Sequence, residues 1–125
     1  MSNSIKKFIV EIGMGVDQHG HDNDCTDAAI KAIKNAISMN CLCGLSEICK
    51  LTNPNDMIVH VVVSCPFPAK INTKKVLRAL PFGSKSIEIV NGGMVAKGIM
   101  IPELGDTSDN IIVCNAAITV SVKMK

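Results

Sequence analysis

Tryptophan and tyrosine are absent from this 125-residue chain, and phenylalanine occurs three times. Single-stranded nucleic acids are held largely by stacking bases on aromatic rings, so an aromatic share of 2% removes that mode of recognition. Charge of one sign is also scarce. Thirteen basic residues against eleven acidic ones leave a net charge of +2, and the lysines are scattered as Lys6 and Lys7, Lys31, Lys34, Lys74 and Lys75, and a Lys123 to Lys125 tail. With no basic stripe to follow a phosphate backbone, no nucleic-acid partner is expected. No apolar run approaches the roughly 18 residues that a membrane-spanning helix requires, so no membrane association is expected either. The opening MSNSIKKFIVEIG alternates where a secretory signal would be continuously apolar, which predicts a cytoplasmic protein. Six cysteines in that setting are expected to be reduced. Nucleotide signatures are missing as well: the third glycine of a GxGxxG beginning at Gly13 would fall on Gln18, and neither GKS nor GKT occurs.

What is present suits one α+β domain over residues 1–125. Apolar residues make up 47% of the chain and charged ones 19%, enough for a single core. KKFIVEIGMG alternates with period two, setting Phe8, Val10 and Ile12 on one face and Lys7, Ile9 and Glu11 on the other, and reads as a strand that ends at the glycines. From Cys25 to about Met39, Ala29, Ile30, Ile33, Ala36 and Ile37 recur at helical spacing, with Asp24 or Thr26 as N-cap and Asp27 near the positive end of the helix. Asn40 to Lys50 has room for one more short helical turn, broken by Gly44. MIVHVVVSC is nearly continuous in β-branched residues and predicts a central strand buried on both faces, ended by PFP. A short helix capped by Asn72 or Thr73 runs to Leu80, SIEIV forms a third strand up to Gly92 and Gly93, and Ile111 to Met124 is a long strand with one wet face after a loop-rich segment. The expected order is β-α-β-α-β-β, a two-layer sandwich with helices on one face of a mixed sheet. Ile9, part of the central strand and several residues of the last strand would leave apolar area on the other face. A homo-oligomer, a trimer or a multiple of three, is expected to cover it.

GMGVDQHG then falls between the first strand and the first helix, where ligands commonly bind in α/β units because unpaired backbone N–H groups point into that loop. Gly13, Gly15 and Gly20 allow close approach of the backbone to a bound group. Asp17, His19, His21, Asp22 and Asp24 add carboxylates and imidazoles, which serve either as an acid–base pair or as ligands for a divalent metal. Against this stands an ordinary alternative: Asp and Asn are common caps, and glycines punctuate loops.

The stretch matches GxGxDxHG at Gly13, Gly15, Asp17, His19 and Gly20, and so resembles the signature of a small family of uncharacterised proteins found mainly in bacteria and also as a domain in plants. The length, the helix after the motif and the later NGGMVAKGI are similar too, so the resemblance covers nearly the whole chain. It implies that Asp17 and His19 matter without supplying a reaction. The element order and VHVVVSCPFP also resemble one repeat of the ring-opening amidohydrolases acting on cyanuric acid and barbiturate, in which three units surround a central site. That resemblance makes Ser64 and Lys97 conceivable counterparts of their Ser-Lys pairs and favours a site shared between subunits.

Other positions weigh less. Gly92 and Gly93 more often mark a bend than an anion nest, though they can bring N–H groups beside a substrate. His60 suits a core or interface histidine with a hydrogen bond of its own. Cys41, Cys43 and Cys49 lack the paired spacing of a zinc site, and Cys25 is a weak candidate nucleophile near a helix N-terminus. The expectation is therefore a protein of unknown function, an oligomeric enzyme acting on a small polar molecule. Asp17 and His19 are its catalytic pair, Gly13, Gly15, Gly20, Gly92 and Gly93 bind substrate, and Asp17, His19 and His21 could instead hold a metal. Hydrolase or lyase chemistry is favoured. The alternative is a non-catalytic module for a metal or a small anion.

Overall fold

A computed structural model describes residues 4–124; Lys125, the last residue of the basic tail, lies outside them. Five strands, β1 (Ser4–Asp17), β2 (Ile58–Cys65), β3 (Ser84–Asn91), β4 (Met94–Lys97) and β5 (Asn110–Met124), form one mixed sheet. Helices α1 (Thr26–Ser38), α2 (Cys43–Glu47) and α3 (Thr73–Leu77) pack on it. The strands lie in the order β1-β5-β2-β3, with β2 and β3 parallel and the β5 pairings antiparallel. This is the expected α+β class. The short helical turn expected between Asn40 and Lys50 is α2, which runs through Gly44, and the structure adds β4, which lies in the segment expected to be loop.

β4 exists because of the two glycines after β3. Pro66 ends β2, Gly93 turns at φ +64, and the chain then occupies the lane that β2 has left, with Met94 opposite Val113. Gly93 lies against the Val113 carbonyl so closely that a Cβ would come within 2.2 Å of it. Bending the backbone there needs glycine.

The core lies between the helices and one sheet face. Val59, Val61, Val63, Ile118 and Val120 from the sheet meet Ala29, Ile33, Leu45 and Val76 from the helices. Two expectations are corrected by this face. β2 is internal, but its burial alternates strictly, so Val62 and Ser64 point to a side that no helix covers; β5, with β1 on one flank and β2 and β4 on the other, is the central strand. In β1 Ile9 alternates with the buried Glu11, Gly13 and Gly15 and so faces the core, and the register shift between Lys7 and Ile9 lets Phe8 pack there too, while Val10, Ile12 and Met14 take the uncovered side.

β1 also runs on to Asp17, past the glycines expected to stop it. Gly13 and Gly15 are buried directly beneath α1, whose Ala28, Ala32 and Ala36 are spaced at i, i+4 and i+8. A Cβ at Gly13 would come within 2.2 Å of the Ala32 carbonyl oxygen, and one at Gly15 within 2.0 Å of that of Ala28. Small residues on both sides let helix and strand approach closely enough to place the start of α1 beside the end of β1.

Candidate functional site

Asp17 is the last residue of β1 and its side chain is 2% exposed. Immediately beyond it the backbone does something few L-residues allow. Gly20, His21, Asp22 and Asn23 have φ of +67, +37, +55 and +64, a left-handed turn closed by hydrogen bonds from the Asn23 N–H to the Gly20 carbonyl and from the Asp24 N–H to the His21 carbonyl. Each non-glycine residue held there costs about 1–2 kcal/mol, strain of a kind that collects at functional sites. The turn is pinned from outside. Lys70 Nζ donates to the Asp22 carbonyl at 2.6 Å, and Asn110 Nδ2 donates to Asn23 Oδ1 at 3.1 Å.

The turn brings the His21 ring back onto Asp17. His21 Nδ1 and Asp17 Oδ2 form a hydrogen bond, and Asp17 Oδ1 accepts from the His19 backbone N–H at 3.1 Å. A carboxylate can only accept, so it holds the proton on Nδ1 and leaves Nε2 for other partners. Nε2 lies 3.6 Å from Asp27 Oδ2, on the first turn of α1. The His21 pKa is raised above the usual 6.5, first by the Asp17 hydrogen bond, then by the negative charges of Asp17, Asp27 and Asp24, against an opposing desolvation.

A cavity of about 230 Å³ opens in front of this pair, lined by His21, Asp24, Thr26, Asp27, Asn72 and Lys75. Its walls are firm. Asp24 caps α1, its Oδ1 accepting from the Thr26 N–H at 2.9 Å and from the Thr26 hydroxyl at 2.6 Å; the same hydroxyl oxygen accepts from the Asn72 N–H at 2.9 Å. Both signs of charge face the space, from Asp24 and Asp27 on one side and Lys75 of α3 on another. Asp17, His21 and Asp27 also offer ligand atoms within 4.8 Å of one another, the one group of three metal-ligating types among the described residues.

His19 has a different partner. Its Nδ1 bonds Asp106 Oδ1 at 2.9 Å, and Asp106 Oδ2 accepts from the Ile101 N–H at 2.8 Å. The Asp106 carboxyl is held below its usual pKa, first by the Ile101 N–H and then by His19. The expected pairing of the Asp17 and His19 side chains is thus not formed, because the left-handed turn sends successive histidines in different directions. The remaining expected site residues divide. Gly20 belongs to the turn, and a Cβ there would come within 2.7 Å of the Asn110 carbonyl oxygen. Gly13 and Gly15 serve the contact with α1, while Gly92 and Gly93 serve the β3–β4 bend; none of these lines the cavity. Ser64 pairs with Asn115 and Lys97 with Asn110, about 17 Å apart along β5 and on opposite faces, so they form no Ser-Lys pair. Lys97 instead donates to Asn110 Oδ1 at 2.6 Å.

His60 bonds the Ser86 hydroxyl on the uncovered sheet face. Cys25 is fully buried, its thiol directed at the Asn23 and Phe67 carbonyls, which removes it as a nucleophile open to substrate. Cys41 and Cys43 are exposed and Cys49 is half-buried. Asp27, Asn72, Lys75 and Asp106 were not singled out as site residues by the sequence. Only Asp27 had a local signal, its place next to a histidine-rich helix start.

No curated protein matches the chain. Among solved structures, an FtsZ-like protein of unknown function from Nostoc punctiforme is similar, with 41% identity and a TM-score of 0.86 over 98% of this chain and 100% of that one. A model for conserved hypothetical proteins matches residues 7–120. That span takes in both the motif and the Asp106 loop that His19 anchors, and on it the chain belongs to the Lin0512 family of conserved hypothetical proteins.

Proposed function

We propose that the chain is an enzyme acting on a small polar molecule in the His21 cavity, with His21 as the proton-transfer group and Asp17 as its orienting carboxylate. The observation that carries this reading is the Asp17–His21 pair: a buried acceptor commits Nδ1 and turns Nε2 toward a cavity lined by polar and charged groups. A histidine so oriented can take a proton from water or from a carbon acid and return it, which suits hydrolase or lyase chemistry. Lys75 and Asn72 would hold an anionic or carbonyl group of the ligand, and Asp24 and Asp27 a donor group. His19 holds the Asp106 loop.

The test is turnover of a panel of small amides, lactones and hydroxy acids by wild type and His21→Gln. A substrate whose kcat/KM falls about 10²–10⁴-fold in the variant supports general acid–base catalysis. Equal rates in both proteins overturn it.

A second reading rests on the Asp17, His21 and Asp27 group, whose mixed oxygen and nitrogen donors suit a divalent transition metal. Here the protein is a metal-binding module. Titration with Zn²⁺ or Mn²⁺ decides it: stoichiometric binding lost in Asp27→Asn supports this reading, and absence of binding removes it.

A further inference from the structure

One face of the sheet has no second layer. Along β1 the side chains that point away from the helices are Val10, Ile12 and Met14, exposed at 52%, 61% and 55%, and across β5 the adjoining β4 presents Met94 at 58%. Val113, Ala117 and Val62 lie between them, partly buried. Polar groups share this face, Asn115 and Thr119 on β5 and His60 and Ser64 on β2, while its carboxylate and ammonium groups, Glu88 on the edge strand β3, Lys7 on β1 and Lys123 near the end of β5, lie toward its margins. The apolar part of the face is a band along β1, β4 and the adjoining residues of β5, and a mixture of apolar and polar surface is the ordinary composition of a protein interface.

We infer that this face is covered by the same face of a second copy of the chain, related by a two-fold axis. Area supports it. A side chain on one face of a sheet occupies about 32 Å² of flat surface, so about 20 such positions give roughly 640 Å² per copy, a lower limit on accessible area. Two copies bury at least about 1,300 Å², within the roughly 1,200–2,000 Å² of stable complexes. Shape supports it too. A sheet face is self-complementary, since two sheets with the same twist pack with strands inclined by about 30°, and one flat partner covers the whole face. Association through the β1 edge is blocked: Asn35 Oδ1 accepts from the Met14 N–H and Lys31 Nζ donates to the Val16 carbonyl, so α1 side chains occupy groups that an added strand would use.

Sedimentation velocity on wild type, Ile12→Glu and, as a control in the helical layer, Ile48→Glu tests the pairing. Hydroxyl-radical labelling of the unmutated protein accompanies it. The expected result is twice the 13.3 kDa chain mass for wild type and Ile48→Glu, a single chain for Ile12→Glu, and protection of Met14 and Met94 while Met39, 63% exposed in the helical layer, is labelled. A wild type that sediments as one chain or as three overturns the inference. So does an Ile12→Glu protein that keeps the wild-type mass. If Ile12→Glu fails to fold, labelling decides alone, and Met14 and Met94 reacting as readily as Met39 refutes the pairing.

Discussion

His21 gains a proton more readily in the folded protein than in the unfolded chain, and the cause is one buried oxygen pair on Asp17. The folded pKa lies above the unfolded value of 6.5, so the Asp17–His21 interaction contributes fully below pH 6.5 and is lost as pH rises through the folded value. His21→Ala should therefore cost more stability near pH 6 than near pH 9. The difference should stay below about 1 kcal/mol because the ring is half-exposed and screened, as urea unfolding of both proteins at the two pH values will show. In Asp17→Asn the His21 pKa should fall back toward 6.5, read from an NMR titration of the ring. Glycine gives a prediction of the opposite kind, independent of pH. Gly15→Ala drives a methyl into the α1 backbone at Ala28 and should destabilise by about 1–3 kcal/mol in the same assay. Burial pushes the Cys65 thiol up to about 11 and raises that of Cys114 further. Ellman's reagent should accordingly react first with Cys41 and Cys43 in the native protein and reach Cys25, Cys65 and Cys114 only on unfolding.

Between elements, the Asp106 carboxyl joins the turn after β1 to the segment before β5. It accepts from His19 and from the Ile101 N–H, and those bonds lower its pKa, so their contribution is present above about pH 3.8 and is lost as pH falls through the folded value. Asp106→Ala should speed hydrogen exchange at the Ile101 amide without moving α1. Equal protection in both proteins would show that the loop is held by other contacts. The helical layer was largely legible in the sequence, α1 to within a residue at each end, because alanine and isoleucine repeat there at helical spacing. β4 was not, since four residues make a strand only where β2 has ended and left β5 unpaired.

For the molecule as a whole, a sheet with helices on one side and apolar side chains on the other predicts that stability depends on concentration. If two copies pair, Tm should rise as protein concentration increases over about 100-fold, while Ile12→Glu should show one Tm throughout. A wild-type Tm that does not move would count against pairing. The uncovered face was foreseeable from the alternation in β1, but which face it would be was not. Gly13 and Gly15 carry no hydrophobicity, and it is the room they leave for α1 that turns Val10, Ile12 and Met14 outward.

By itself the sequence determined the α+β class, the long helix, the β-branched strands and the presence of a polar, glycine-framed segment before α1, because each depends on periodicity or local conformational preference. Only the tertiary structure decided what that segment does. HDN holds the residue types that tolerate left-handed backbone best after glycine, but three in succession persist here because Lys70 and Asn110, far along the chain, hold the turn. That turn pairs Asp17 with His21 rather than His19, and it commits His19 to Asp106, 87 residues away. Contacts of such separation are set by how strands and helices stack, and no local pattern records them.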